Sequence, residues 1–134
     1  MIFQPISKQS ESKSGPVRLL SSVIEAVREQ IEADCIPDEY QVIAEEIERI
    51  IAEVYVMPEN WTVRIEGQPV PAQMIKDVYA QLTHEHVTAV MYRFAAVHYE
   101  IRHVKTYLRT ALYNAVFETA ARSANEYRKD HPYD

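Results

Sequence analysis

Residues 101–117 read IRHVKTYLRTALYNAVF and are the most informative segment of this chain. Apolar side chains recur there at steps of three and four residues, which places them on one face of an α-helix. We expect this face to enter the core through Ile101, Val104, Leu108, Ala111, Leu112 and Ala115. The helix should begin near Glu100 or Ile101 and reach Tyr127 or Arg128.

The same segment carries three basic side chains, Arg102, Lys105 and Arg109, on a second face. At about 100° per residue they lie within about 60° of one another and away from the apolar face. We expect this basic ridge, with His103 beside it, to contact a partner's acidic surface or DNA phosphates. The alternative is a solvated face that pairs with acidic side chains of neighbouring helices.

Length and composition bound the class of protein. A chain of 134 residues can bury a core as one domain without a metal or disulfide, and two glycines predict few turns and much helix. The net charge of -6 argues against strong nonspecific nucleic-acid binding, which requires neutralised phosphates. Cys35 stands alone, and no secretory signal or membrane span is recognisable, so we expect a soluble, cytoplasmic protein.

The chain divides into a tail and one domain. Residues 1–18 are expected to be a flexible tail or linker, because residues 7–16 contain no large apolar side chain. Residues 19–130 should form a single helical domain. Its first helix is expected from Leu19 to a break before Pro37, since a residue before proline disfavours the helical conformation.

The second helix is expected from about Glu39 to Val56. Its core face should contain Val42, Ile43, Ile47, Ile50, Ile51 and Val54. We expect Glu45 to pair with Arg49 one turn away. A solvated surface, rather than acid/base or metal chemistry, is expected for the carboxylates of Glu45, Glu46, Glu48 and Glu53.

A change of period marks a β-hairpin after the second helix. Trp61, Val63 and Ile65 alternate with polar residues up to Gly67, which is typical of a strand followed by a turn. So small a hairpin must pack on the helices, and we expect Trp61 to anchor it. Pro71 fits the first position of the third helix.

The fourth helix should run from about His84 to His98. Thr83 is expected to be a simple N-cap, because His86 and not Glu stands three residues later. The sequence thus predicts a mainly α fold of about five helices with one short β-hairpin between helices 2 and 3.

No segment has the pattern of a catalytic or metal site. His84 and His86 are two residues apart, so on a helix they point in different directions and cannot bind one ion. The chain lacks HExxH, CxxC and GxSxG motifs and a glycine-rich phosphate loop. We therefore expect no enzyme activity, no metal and no cofactor.

Several short segments, taken in order and spacing, carry a family resemblance. They are VREQIEAD at 27–34, VRIEG at 63–67 with Pro71-Ala72, LTHEHV at 82–87, EIRHVKTYL at 100–108 and ALYNA at 111–115. With them the chain resembles the C-terminal domain of replication initiator A proteins of plasmids and integrative elements from low-GC Gram-positive bacteria.

The resemblance implies a small DnaD-like helical domain that lacks enzyme activity and engages host replication machinery. Initiators of this family bind the origin through a separate N-terminal winged-helix domain, which is absent from these 134 residues. Either that domain was removed and residues 7–16 are the rest of its linker, or the gene encodes this domain alone, in which case origin recognition is not carried over. We expect a non-enzymatic interaction domain that recruits a host primase or helicase loader.

Two alternatives remain open, a DNA-binding module that uses the basic ridge and a self-associating structural domain of a mobile element. A homo-oligomer is compatible with all three interpretations. None of them involves contact with a membrane.

Overall fold

A computed structural model describes residues 19–97 and 100–130, and the predicted tail, residues 1–18, lies outside them. The described elements are α1 (19–30), α2 (Gln41–Val56), β1 (Thr62–Ile65), β2 (Gln68–Pro71), α3 (Ala72–Tyr79), α4 (His84–Ala95) and α5 (Val104–Asp130). Two short 3-10 turns, Ala33–Cys35 and Asp38–Tyr40, connect α1 to α2. The predicted fold, five helices with a hairpin between the second and third, is confirmed.

All five helices and β1 contribute to one hydrophobic core. The α2 residues Ile47, Ile50 and Ile51 are fully buried, as the three- and four-residue spacing predicts. The core face of α5 is narrower than expected and begins at Leu108, whereas Val104 is 36% exposed. Other large side chains with almost no exposure include Val27, Ile31, Val54, Ile75, Tyr79, Leu82, Val87, Met91 and Leu112.

Polar side chains join four helices around the end of α3. Gln30 donates hydrogen bonds to the carbonyls of Tyr79 and Leu82, each at 2.9 Å, and the Tyr55 hydroxyl donates to the Tyr79 carbonyl at 3.1 Å. The Tyr79 carbonyl also accepts the backbone N–H of Leu82 at 3.0 Å, so the side chains of α1 and α2 reinforce the turn that ends α3. The Tyr79 hydroxyl in turn donates to the carbonyl of Arg109 in α5 at 2.7 Å. Burial raises the pKa of both tyrosines, so their hydroxyls keep their protons.

One carboxylate of α2 is buried, which corrects the prediction of a wholly solvated acidic surface. Glu48 is 3% exposed and accepts a hydrogen bond from Arg28 of α1 at 2.8 Å. Burial raises the pKa of Glu48, and the Arg28 guanidinium opposes that rise. The predicted pairing of Arg49 with Glu45 is also wrong, because Arg49 contacts Glu46 at 3.5 Å.

The hairpin turns at Glu66 and Gly67, which both adopt positive φ angles, +54° and +81°. Two successive positive φ values make the tight turn whose twist suits a hairpin, and glycine adopts this conformation without strain. Val63 and Ile65 anchor the hairpin at 8% and 5% exposure. Trp61 does not, and the prediction is wrong: it precedes β1 at the open end of the hairpin and is 57% exposed.

The start of α4 is more elaborate than predicted. Thr83 Oγ1 accepts from the backbone N–H of His86 at 3.4 Å, and His86 Nδ1 accepts from the backbone N–H of Thr83 at 3.0 Å. This is a reciprocal capping box in which neutral histidine replaces the usual Glu or Gln. The preceding helix, α3, begins at Ala72, one residue later than predicted, because Pro71 still pairs with Thr62 in the hairpin.

Candidate interaction surfaces

The predicted basic ridge is interrupted because α5 starts later than expected. α4 ends at Ala95 and α5 begins at Val104, so Arg102 precedes the helix. His103 is exposed, and its carbonyl accepts the N–H of Tyr107 at 2.9 Å, the first bond of α5. Arg102 and His103 therefore do not share the helical spacing from which the ridge was derived.

The other two ridge residues lie on α5 and differ in their surroundings. Lys105 Nζ lies 2.5 Å from Glu53 Oε1 of α2, and both side chains are partly exposed. Arg109 is half-buried, and its Nε has no hydrogen-bond partner among the described residues. Arg93, which is near on α4, contacts Glu118 at 3.4 Å. The structure thus spreads the four predicted residues over an irregular segment, an ion pair and a partly buried position.

An open, mostly apolar groove lies between α2 and α5, and Phe94 of α4 also lines it. Its volume is about 380 Å³. We call it the α2–α5 groove and define it by its lining residues, which are Val42, Ile43, Glu46, Phe94, Val104 and Leu108. It combines buried Leu108, half-buried Ile43 and Phe94, and two exposed valines.

Both exposed valines were predicted to be core residues, and the structure corrects this. Val42 is 80% exposed and Val104 is 36% exposed. At about 100° per residue, Val42 lies roughly 100° around α2 from Ile43. Ile43 packs against the core and Val42 faces the groove. The apolar residues of α2 therefore cover a wider arc of the helix than the arc that contacts the core.

Four carboxylates stand three and four residues before and after Val42 in the chain, and we call them the acidic ring. Asp38 and Glu39 lie in the turn immediately before α2, and Glu45 and Glu46 lie one turn along it. Glu46 contacts Arg49 and is half-buried, whereas the other three are exposed. Val42 and Val104 extend the apolar surface of Ile43 and Phe94 in the groove, and a contiguous apolar surface rimmed by polar residues is typical of a contact site. The sequence analysis missed this site, because the apolar spacing of α2 assigned Val42 to the core.

A second groove, about 600 Å³ in volume, separates the hairpin from α4 and α5. Each charged group that lines it has a polar partner in the chain. Asn114 donates to Glu66 at 3.0 Å, and Arg64 donates to the carbonyl of Gly67 at 2.6 Å. The first contact joins the hairpin to α5 and the second closes the hairpin turn, so this groove is a structural junction.

Several histidines have structural roles. His84 Nδ1 lies 3.0 Å from the carbonyl of Ile31, and His86 completes the α4 cap. Within residues 19–97 and 100–130, no group of three or more His, Cys, Asp or Glu side chains is placed to hold a metal ion. None of the helices in those ranges is long and apolar enough to cross a membrane.

Comparison with known proteins assigns the sequence to a family. Searches of curated proteins and of solved structures find no match to this chain. Residues 5–129 match the family described as "Family of unknown function (DUF6017)". Because the match covers nearly the whole sequence, the chain belongs to the DUF6017 family.

Proposed function

We propose that this chain is a non-enzymatic interaction domain of a plasmid or mobile-element replication initiator, which recruits a host primase or helicase loader. The resemblance of segments such as EIRHVKTYL at 100–108 to replication initiator A proteins supports the biological setting. The observation that carries the proposal is the α2–α5 groove, where Val42 is 80% exposed beside half-buried Phe94.

The shape and chemistry of the groove favour an amphipathic helix as its occupant. Two helices form its walls, and its floor is apolar, which is how helix-binding grooves accept the apolar stripe of a partner. The acidic ring around Val42 selects a partner with basic side chains beside that stripe. Lys105 does not oppose such a partner strongly, because Glu53 already neutralises it.

Val42 is the expected anchor of this contact. A residue that is exposed in the free chain and fully buried in the complex contributes most to binding when it sits near the centre of a dry contact. Replacing Val42 with Ser removes apolar area without changing charge, and we expect affinity to fall about tenfold. The exposed Val56 at the other end of α2 provides a matched control, Val56→Ser.

The test measures binding of the full chain to purified host primase and to purified helicase loader by fluorescence anisotropy. Binding of either protein that is weakened by Val42→Ser and unchanged by Val56→Ser supports the proposal. Equal effects of the two variants would remove the groove from the contact, and absence of binding to both proteins would overturn the recruitment role.

DNA is a necessary third ligand in the same experiment. Since phosphate contacts are lost steeply with added salt, binding through basic side chains has a distinct signature. Salt-sensitive binding of duplex DNA that is lost in Lys105→Glu, with no binding of either protein, would support the DNA-binding alternative instead.

A further inference from the structure

The C-terminal half of α5 extends beyond the core. The last buried residue of this helix is Val116, and every described side chain from Ala120 to Lys129 is exposed. We call residues 117–129 the arm; at 1.5 Å per residue it is roughly 20 Å long. A helical segment of this length gains little stability in water without packing, so its sequence should reveal what it packs against.

The arm carries a regular apolar seam. Phe117, Ala120, Ala124 and Tyr127 follow Tyr113 at steps of four, three, four and three residues, the spacing of helices that pair side by side. Phe117 and Tyr127 are 48% and 55% exposed. The Phe117 ring lies 5.2 Å from that of Tyr113, so the seam continues directly from the core.

We propose that the arm pairs in antiparallel orientation with the arm of a second copy of this chain. In the register centred on residue 122, Phe117 meets Tyr127 of the partner and Ala120 meets Ala124. Alanines in the middle let the helices approach closely, while aromatic rings close both ends of the seam. This inference uses a different surface from the α2–α5 groove and does not depend on the recruitment role.

Charge complementarity selects the antiparallel orientation. Asn114, Ala121 and Arg128 are seven residues apart and therefore share one edge of the seam. At the body end of that edge, Asn114 holds the carboxylate of Glu66 at 3.0 Å. An antiparallel pair brings Arg128 of each copy to Asn114 and Glu66 of the other. A parallel pair would place both Arg128 side chains at the same end of the seam, far from Glu66.

The size of the arm limits the strength of the dimer. A stable interface usually buries about 800 Å² per partner, which is more than one face of a four-turn helix provides. We therefore expect a reversible dimer with a dissociation constant on the order of 10 μM. Such a dimer is observable as a change of average mass with concentration.

The test is sedimentation of the full 134-residue chain from about 1 to 300 μM, a range that spans the expected dissociation constant. We expect the wild type to shift from monomer to dimer and Ala124→Glu, which places a carboxylate in the seam, to stay monomeric. The control Asn125→Glu adds the same charge on another exposed face and should still dimerise. A wild type that stays monomeric throughout, or identical behaviour of the two variants, would overturn the proposal.

A charge exchange tests the orientation. Glu66→Arg and Arg128→Glu should each weaken the dimer several-fold, and the double variant should recover most of the lost affinity, because the pair is restored across the antiparallel interface. Single effects that simply add in the double variant would rule out this register. Unchanged circular dichroism in all variants would confirm that folding is preserved.

Discussion

The two halves of α5 belong to one continuous helix but are stabilised in different ways. Between residues 107 and 116, Leu108 and Leu112 are almost completely buried, and the Arg109 carbonyl accepts the Tyr79 hydroxyl. Beyond Val116 the arm continues the same helix, and its described side chains are exposed apart from half-buried Thr119. Helical periodicity therefore does not distinguish a helix that packs within its own domain from one that offers a surface to another molecule.

The two halves of α5 also contain apolar residues that contribute to different processes. Leu112 is part of the folded core, and its contribution appears in the free energy of unfolding. Phe117 lies five residues later, and its exposed ring can contribute fully only after association. Mutations between residues 107 and 116 should therefore change the free energy of unfolding. Mutations in the arm should instead change the average mass of the protein in solution, because they alter dimerisation.

The largest contrast is expected from Leu112→Ala. Removing a fully buried leucine side chain leaves a cavity and should lower the free energy of unfolding by about 2–5 kcal/mol. Phe117→Ala should cost less than about 1 kcal/mol when copies are kept apart, because half of the ring is already in water. Urea unfolding at low protein concentration measures both values. Equal losses would show that the arm packs on the body.

A smaller contrast is expected from glycine substitutions at two alanines of α5. Ala115 is 6% exposed and Ala124 is exposed. Ala115→Gly should destabilise the monomer by about 1–2 kcal/mol, through lost helix propensity and a lost buried methyl group. Ala124→Gly should leave monomer unfolding nearly unchanged, because the arm can fray without exposing the core.

Thermal unfolding at two concentrations checks this pair. At high concentration Ala124→Gly should lower the midpoint relative to wild type, since dimerisation stabilises only the folded chain. A concentration-independent loss for Ala124→Gly, as large as that for Ala115→Gly, would contradict the contrast between the packed half and the arm.

One buried hydrogen bond links α3 to residues 107–116 of α5. Tyr79→Phe removes the hydroxyl that donates to the Arg109 carbonyl at 2.7 Å and leaves the ring in place. We expect a loss of about 0.5–1.5 kcal/mol, the usual net contribution of one hydrogen bond. Tyr92→Phe, on a ring that is 49% exposed, is the control and should have little effect in the same urea experiment.

Most helices and strands could be predicted from the spacing of apolar residues along the sequence. The steps of three and four that contain Ile47, Ile50 and Ile51 identify α2, and the alternation of Val63 and Ile65 identifies β1. These signals are local, because they depend only on the geometry of one helix or strand. The existence and order of the elements were therefore predictable, whereas the start of α5 was not.

The remaining features depend on which element covers which residue. Val42, Val104 and Trp61 are apolar, yet their exposure is decided by neighbours distant in sequence. From the sequence, the burial of Glu48 could not be distinguished from that of the neighbouring glutamates, because its partner, Arg28, lies 20 residues away on another helix. An interaction surface contains apolar residues that the sequence pattern assigns to the core but that the fold leaves exposed. The α2–α5 groove could therefore be identified only from the structure.

The smallest expected effect is a pH dependence that contrasts buried Glu48 with charges in water. Burial raises the pKa of Glu48 in the folded chain above its unfolded value, although Arg28 opposes the shift. The folded state therefore binds this proton more readily, and the associated stability is present at low pH and lost as pH rises through the folded pKa. Replacing Glu48 with Gln removes this dependence.

We expect the stability of wild type relative to Glu48→Gln to increase as pH falls from about 7 towards 4, with a slope below about 1.4 kcal/mol per pH unit, the limit for one proton. Urea unfolding of both proteins across this range measures the difference. A relative stability that decreases on acidification would mean that the Arg28 ion pair outweighs burial. In that case the pair holds α1 on α2 more strongly than the desolvation of Glu48 weakens that contact.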